Sequence, residues 1–381
     1  MEYFLTCLFG QNDNASVKIM EKSKMKIGVI THYYKSFNYG GLLQSYALIK
    51  MFQKNNFIAC QIQYDSSIKQ RKFSRLMLHI GNKFITMLKN FIRNKKRIEA
   101  CSRFRTAIPH TREIYNYKNI STVEKNFDAF VTGSDQVWNP SEINVGYSLS
   151  FTNKPKYSYA ASIGVKSLTS SDLAFYESFL QDYRMVSVRE RNAVELLQHV
   201  RPISLVLDPV FLLTKDEWLS LASKKICTEK YIFYYLLGDD AKSRCIVENF
   251  AKEKGWRIFV IPYLNGKNNI KKGDLFRKDI SPNDFLSLIA NAECVMTDSF
   301  HALCFSYIFK KDFYAFSRVR GEHMNIRIND FLLTIDCRER MIDSPCDYTG
   351  IDYSKKSTAI FDDVKEHTFL FFDKMTKDII E

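Results

Sequence analysis

The stretch ECVMTDSFHALCFSYIFKKDFYAFS, Glu293 to Ser317, decides the fold. Its first residues, ECVMTD, form an apolar run of strand length. SFHALCFSYIF then reads as an apolar helix with a polar start, and DFYAFS as a second strand. A strand, a helix and a strand in this order form a crossover unit with parallel strands. Asp298, Ser299 and His301 stand at the corner where the first strand hands over to the helix.

Reading outward, the same alternation recurs on both sides. Upstream, KYIFYYLLGD, a helix over AKSRCIVENFAKEKG, the strand WRIFVIP and the helix NDFLSLIANA precede the quoted unit. Ser281-Pro282 is a helix-start signal, a cap followed by proline at the first helical position. Downstream, a helix over about 359–379 offers Phe361, Val364, Phe369 and Phe372 for burial.

The chain's earlier part gives a second βα series: MKIGVIT, the Gly-marked turn and helix NYGGLLQSYALIKMF, FIACQIQ, FDAFVTGS and KYSYAASIG. The helix DLAFYESFLQDYR, the short strand MVSV, the helix RERNAVELLQHV and the closing run ISLVLDPVFLL follow. Two such series predict an α/β protein of two doubly wound, Rossmann-like domains facing across a cleft. With 381 residues the chain exceeds one ordinary hydrophobic core, which agrees. The expected organisation is a loose extension over 1–24, a first domain over 25–212 and a second over 213–381 that includes the terminal helix.

Composition sets outer limits. Nine cysteines, without a C-x-x-C pair, argue against a zinc site or a disulfide framework and for a reducing cytoplasm. No run of apolar residues is long enough to span a bilayer, and the start lacks the basic-then-apolar order of a secretory signal. The net charge is +13, and residues 69–105 alone hold twelve Lys/Arg against Glu99. Apolar residues from Phe73 to Ile92 recur there at helical spacing. Such a segment fits either peripheral contact with anionic lipid or a helix packed on its own domain with a solvated basic face. No nucleic-acid motif accompanies the charge, so nucleic acid is not expected as a partner.

Open α/β sheets bind ligands beyond the carboxyl ends of their strands. That rule gathers four stretches at the cleft: Asn38 to Gly41, Gly133 to Trp138, Ser187 to Arg191, and Asp298 to His301. A histidine near a helix start is either a satisfied core residue or a proton carrier beside an anion. Arg189 and Arg191 open a helix against its dipole, which suits a held anion, although for Arg191 a surface pair with Glu190 or Glu195 is the better reading. Arg318, Arg320 and Arg327 form either a grip for phosphate or carboxylate or a solvated basic loop. In GSDQVWNP, Ser134, Asp135 and Gln136 offer partners to sugar hydroxyls and Trp138 a flat apolar face, unless the stretch is a packed turn. Gly40 and Gly41 permit close backbone approach or merely turn the chain.

The pieces NYGGLLQSYAL, FDAFVTGSDQVWN, YAASIG, VSVRER, LDPVFLL, TDSFHALCFSYIFKKDFYAF and RGEHMNIRI, in this order, resemble the polysaccharide pyruvyl transferase family. The resemblance implies a GT-B arrangement and transfer of pyruvate from phosphoenolpyruvate to two sugar hydroxyls as a ketal. The first domain is then the acceptor side and the second the donor side. The implied catalytic residue is His301. Arg189, Ser299, Arg318, Arg320 and Arg327 are implied on the donor, and Asn38, Gly40, Ser134, Asp135, Gln136 and Trp138 on the acceptor. Many members carry an arginine two residues before the histidine; here that position is Ser299, so Arg320, Arg327 or the helix N–H groups take its part. No metal or resident cofactor is implied. The acceptor is a sugar or lipid-linked oligosaccharide, handled in the cytoplasm or at the inner membrane face, for capsule or exopolysaccharide. A nucleotide-sugar glycosyltransferase would share the fold and often carries two acids eight residues apart, the spacing of Glu322 and Asp330. A non-catalytic sugar-binding protein is the third class, with no need of His301.

Overall fold

The computed structural model describes residues 24–68, 94–238, 241–262, 269–318 and 322–381. The expected extension over 1–24 therefore lies, but for its last residue, outside the described residues. The first sheet contains β1 (Lys26–Ile30), β2 (Ile58–Tyr64), β3 (His110–Tyr115), β4 (Ala129–Thr132) and β5 (Lys156–Ser158). They lie in the order β3-β2-β1-β4-β5, every pair parallel. A short parallel pair, β6 (Ser187–Val188) and β7 (Ser204–Leu205), continues this edge through single bridges such as Tyr157 to Met185. The second sheet contains β8 (Tyr231–Tyr235), β9 (Arg257–Val260), β10 (Leu275–Phe276), β11 (Cys294–Thr297), β12 (Asp312–Phe316) and β13 (Met341–Ile342). Its order is β10-β9-β8-β11-β12-β13, again parallel throughout. This is the α/β pair of Rossmann-like sheets that the sequence predicts, of the GT-B kind.

Strand order reverses at β1 and β4 in the first sheet and at β8 and β11 in the second. Those are the switch points where an open sheet leaves a crevice at its carboxyl edge. Helices α1 (Tyr39–Lys54) and α2 (94–106) follow in the first domain, with α3 (Ser170–Leu180) and α4 (Arg191–Leu197). Then come α5 (Lys215–Leu221), α6 (Ala241–Lys254), α7 (Pro282–Ala290), α8 (Phe300–Ile308), α9 (Glu322–Thr334) and α10 (Ala359–Ile380). Local chemistry starts them where the sequence says. Ser281 and Asp284 form a reciprocal capping box with Pro282 in the first turn of α7, and Thr214 with Glu217 does the same for α5. Asn38 caps α1 by accepting from the Gly41 amide at 3.3 Å.

The two domains share one apolar core. Tyr39, at the start of α1, is wholly buried and its hydroxyl donates to the Ile280 carbonyl at 3.1 Å. Its ring stacks on Phe285 of α7 at 4.9 Å, and the Arg97 guanidinium of α2 sits 4.4 Å from its centroid. Arg97 also donates to the Pro262 carbonyl at 3.2 Å. Trp218 of α5 meets Phe305 of α8 edge-on at 5.0 Å.

Two expectations change. The terminal helix, expected with the second domain, crosses back to the first: Phe372 packs on Phe52 at 5.1 Å, and Thr368 accepts from the Leu207 amide at 2.8 Å. Asp378 pairs with Arg184 there at 3.3 Å. Its inward aromatic stripe spans both domains, Phe361 packing on Tyr307 at 4.9 Å and Phe372 on Phe52. Of the basic segment over 69–105, residues 69–93 lie outside the described residues. Its remainder is helical, and Arg97 is not a lipid-facing charge: it is 5 % exposed and holds the domains together. Among the described residues, no helix is long and apolar enough to cross a membrane.

Tyr39 gives a test of this docking. Tyr39→Ala should lower stability by roughly 3–5 kcal/mol, the cost of emptying a large buried aromatic site. Tyr39→Phe should cost only about 0.5–1.5 kcal/mol, one hydrogen bond. Urea denaturation measures both; an Ala variant as stable as the parent would mean that the domains are held elsewhere.

Candidate functional site

Beyond the carboxyl ends of the central strands, helix α1 of the first domain and helix α8 of the second bring their first turns together. Gly40 is where they touch. A methyl group built on Gly40 would lie 2.1 Å from both Cγ and Nδ1 of His301. Only glycine leaves room for the imidazole. His301 is 5 % exposed, and its Nε2 points at the Asp208 carboxylate across 3.6 Å. That is too long for a formed hydrogen bond, and Nε2 has no other partner. A buried, unsatisfied imidazole nitrogen beside a carboxylate is a costly arrangement that structural histidines avoid. Ser299 caps α8, its hydroxyl reaching the Ala302 amide at 3.5 Å.

Arg189, directly after β6, organises the acids. Its Nη1 donates to Asp208 and, at 3.0 Å, to the Ser134 hydroxyl; its Nη2 donates to Asp135 at 3.4 Å. Ser134 in turn donates to Asp208 at 2.9 Å. The guanidinium lies 4.7 Å from the Phe300 ring centroid, with its side chain 1 % exposed. Arg327 of α9 approaches Asp135 from the other side, at 3.8 Å. Glu190 is buried beside them and accepts from the Ser162 hydroxyl.

The charges shape one another. Burial alone would raise the carboxyl of Asp135, but Arg189, His32, His301 and Arg327 reverse this and hold it at about 2. Asp208 is also depressed: burial opposes it, and His301 followed by Arg189 outweighs burial. Burial pushes Glu190 upward against the pull of Arg189. Arg327 is the unusual cation, pulled down to about 10 by burial and by its neighbour Arg189. An arriving anion would relieve that strain. A small cavity adjoins the cluster, lined by Arg189, Arg191, Asp208, Phe300, Arg327 and Asp330 among others.

The structure therefore unites His301, Ser299, Arg189, Arg327, Gly40, Ser134 and Asp135, and it reassigns several neighbours. Arg189 is not an open clamp for a donor anion, because its two terminal nitrogens are committed to Ser134, Asp208 and Asp135. It positions the two carboxylates. Ser134 is fully buried within the same network, so its hydroxyl is not offered to a sugar. Trp138 shows no face to solvent: it is fully buried, its indole donates to the Tyr147 carbonyl at 3.2 Å, and Phe179 and Tyr183 close around it. Gln136 packs against Gly164, where an added methyl would lie 2.0 Å from its Nε2. Asn38 is exposed at the rim. Arg318 is tied to Asp298 at 2.9 Å, and the same carboxylate accepts from the Leu237 and Gly238 amides at 2.6 and 2.9 Å. Arg320 lies outside the described residues. Arg191 is structural, as its sequence context suggests, but its partner is Asp330 at 2.7 Å rather than Glu190 or Glu195.

Asp208 is a site residue that sequence reasoning passed over. The signal for Asp208 was an acid inside the apolar run ISLVLDPVFLL, just before a proline. It caps the turn over 209–212, accepting from the Val210 amide at 3.1 Å. Among the described residues, no group of three or more His, Cys, Asp or Glu is placed to hold a metal ion.

Solved structures with a similar course include UDP-N-acetylglucosamine 2-epimerase from Rickettsia bellii. It is 11% identical, with a TM-score of 0.48 and coverage of 93% of this chain and 97% of that one. The UDP-GlcNAc 2-epimerase from Neisseria meningitidis is 11% identical, with a TM-score of 0.46, covering 93% and 100%. The glycosyltransferase SnogD from Streptomyces nogalater is 10% identical, with a TM-score of 0.43, covering 94% and 95%. Likenesses of this degree carry no argument about activity. No curated protein sequence matches the chain. A family model does: polysaccharide pyruvyl transferase, over residues 38–318, a span that holds Gly40, Asp135, Arg189, Asp208, His301 and Arg318. The chain belongs to the polysaccharide pyruvyl transferase family.

Proposed function

We propose that the protein transfers pyruvate from phosphoenolpyruvate to two hydroxyls of a sugar, forming a cyclic ketal in the synthesis of a capsule or exopolysaccharide. The observation that carries this reading is His301, buried with an unsatisfied Nε2 opposite Asp208, where two helix N-termini meet. The chemistry asks for such a group. A sugar hydroxyl attacks C2 of the enol, C3 takes a proton, and phosphate leaves as the second hydroxyl closes the ring. His301 is the general acid for C3, and the Asp208 carboxylate stands 3.6 Å from its Nε2.

The donor carries a phosphate and a carboxylate. Arg327 and the first-turn N–H groups of α8 at Phe300 and His301 receive one of them. Arg318 supports the site by holding Asp298 at the end of β11. Because Gly40 closes directly on His301, donor entry requires the two domains to part, and their return excludes water. Asp330 is engaged by Arg191, which removes one member of the acid pair that a nucleotide-sugar reading would use.

His301→Ala should lower kcat by roughly 10²–10⁴-fold in a folded protein. Near-normal turnover would remove His301 from the chemistry. Arg327→Lys should weaken phosphoenolpyruvate binding by about 1.5–3 kcal/mol, because an ammonium lacks the planar fork. Calorimetric titration reads this, and an unchanged affinity would place the donor elsewhere. Gly40→Ala, which drives a methyl group into the imidazole, should abolish most turnover while the donor still binds the opened form. An active Gly40→Ala enzyme would show that the closed contact is not the reactive one.

A further inference from the structure

The donor has to pass a closed seam between the domains before it reaches Arg327 and His301. Resting on the pyruvyl-transfer reading, we propose that the Arg191–Asp330 pair closes the donor's entrance and, in closing, sets Arg327 against the anion it receives. Helix α4 carries Arg191 on the first domain and α9 carries Asp330 on the second, so the pair spans the seam. Both are positioning residues, acting through Arg327 and not on the reacting atoms.

The contact is more than one ion pair. Helix α4 opens on Glu190, whose side chain makes no capping hydrogen bond. Asp330 takes that place from the other domain. One of its oxygens accepts from the Arg191 amide at 3.2 Å, the other from the Arg191 guanidinium at 2.7 Å. A helix-start N–H that would lack a partner is thereby satisfied across the seam. The same guanidinium donates to the Thr334 hydroxyl at 2.7 Å, and that hydroxyl donates to the Asp330 carbonyl at 2.8 Å. Arg327, Asp330 and Thr334 follow one another at helical spacing and share one face of α9, while Ile328, Phe331 and Leu332 join the core. Holding Asp330 and Thr334 on α4 therefore fixes the rotation of α9. That in turn fixes Arg327, whose guanidinium stands 3.8 Å from Asp135.

The pair is also a wall between two cavities. Inside it lies the small cavity against Arg189, Asp208, Phe300 and Arg327, whose volume of about 20 Å³ admits little more than one water. Outside it lies a cavity of about 330 Å³, lined by Asn329, Leu333, Arg338 and Met341 among others and large enough for a compact organic anion. Asp330 lines both. Asn329 and Arg338 are exposed, which puts the outer cavity at the surface. Exposure also sets this pair apart from the inner cluster. The Arg191 and Asp330 side chains are 28 % and 15 % exposed, against 1 % and 0 % for Arg189 and Asp208. Water reaches the outer pair and can solvate its charges when they separate, so it opens far more readily than the buried one. Phosphoenolpyruvate enters past Arg338, crosses between the parted Arg191 and Asp330, and meets Arg327. Re-forming the pair behind it returns α9, and Arg327 with it, to the closed position.

The test uses the full chain, with calorimetry for phosphoenolpyruvate affinity and phosphorus NMR line shape for its dissociation rate; the two together give the association rate. Asp330→Asn should weaken binding about tenfold in the parent and by no more than about twofold in an Arg327→Met background, because the pair acts through Arg327. Association should become faster, and dissociation faster still. Arg191→Met leaves Asp330 on the α4 amide and serves if Asp330→Asn does not fold; it should show the same dependence on Arg327 with a smaller loss. An unchanged affinity, an equal loss in both backgrounds, or an association rate at or below that of the parent would each overturn the inference while leaving pyruvyl transfer intact. A parent protein that binds no phosphoenolpyruvate would instead overturn the reading beneath it.

Discussion

The contact between Gly40 and His301 is the constraint on which the structure turns. It joins the first turn of a helix from one sheet to the first turn of a helix from the other, with no space for a single methyl group. Everything around it keeps that approach possible. Tyr39, next in the chain, is locked between Arg97 and Phe285, and α10 returns from the second domain to brace α1 through Phe52 and Phe372. Two parallel sheets with their carboxyl edges facing leave two positive helix ends pointing at one place.

Such a place needs negative charge, and the protein supplies part of it. Asp135 and Asp208 sit between the helix starts, with Arg189 holding both at fixed separation. A buried ion cluster of this kind adds little to stability, since desolvation offsets most of the attraction. Its value lies in orientation: the terminal nitrogens of Arg189 hold Ser134, Asp208 and Asp135 in place before a ligand arrives. Burial and Arg189 depress Arg327, and Nε2 of His301 has no hydrogen-bond partner. A ligand with two anionic groups and a carbon awaiting a proton would complement both.

Much of this was legible in the sequence, for reasons that can be named. The runs MKIGVIT, YIFYY and CVMT are buried strands with polar corners, so the parallel sheets followed from pattern. Ser299 was readable as the polar start of its helix and His301 as a first-turn residue, because helix starts are set by local chemistry. Direction was not readable. Arg189 could point outward to an anion or inward to acids, and its partners lie 19 and 54 residues away in the chain. Trp138 looked like a sugar platform until Tyr147, Phe179 and Tyr183 closed over it. The terminal helix carries an ordinary apolar stripe, and nothing local says which domain it will cover.

The central claim is that an enol carbon is protonated here and its phosphate exchanged for sugar oxygens. Proton and phosphorus NMR of the protein incubated in deuterium oxide with phosphoenolpyruvate and a hexoside diol tests this directly. The account predicts inorganic phosphate together with a new ketal methyl group carrying a single deuterium, delivered by exchanged His301. Phosphoenolpyruvate left intact while a UDP-sugar is consumed in a parallel tube would contradict it.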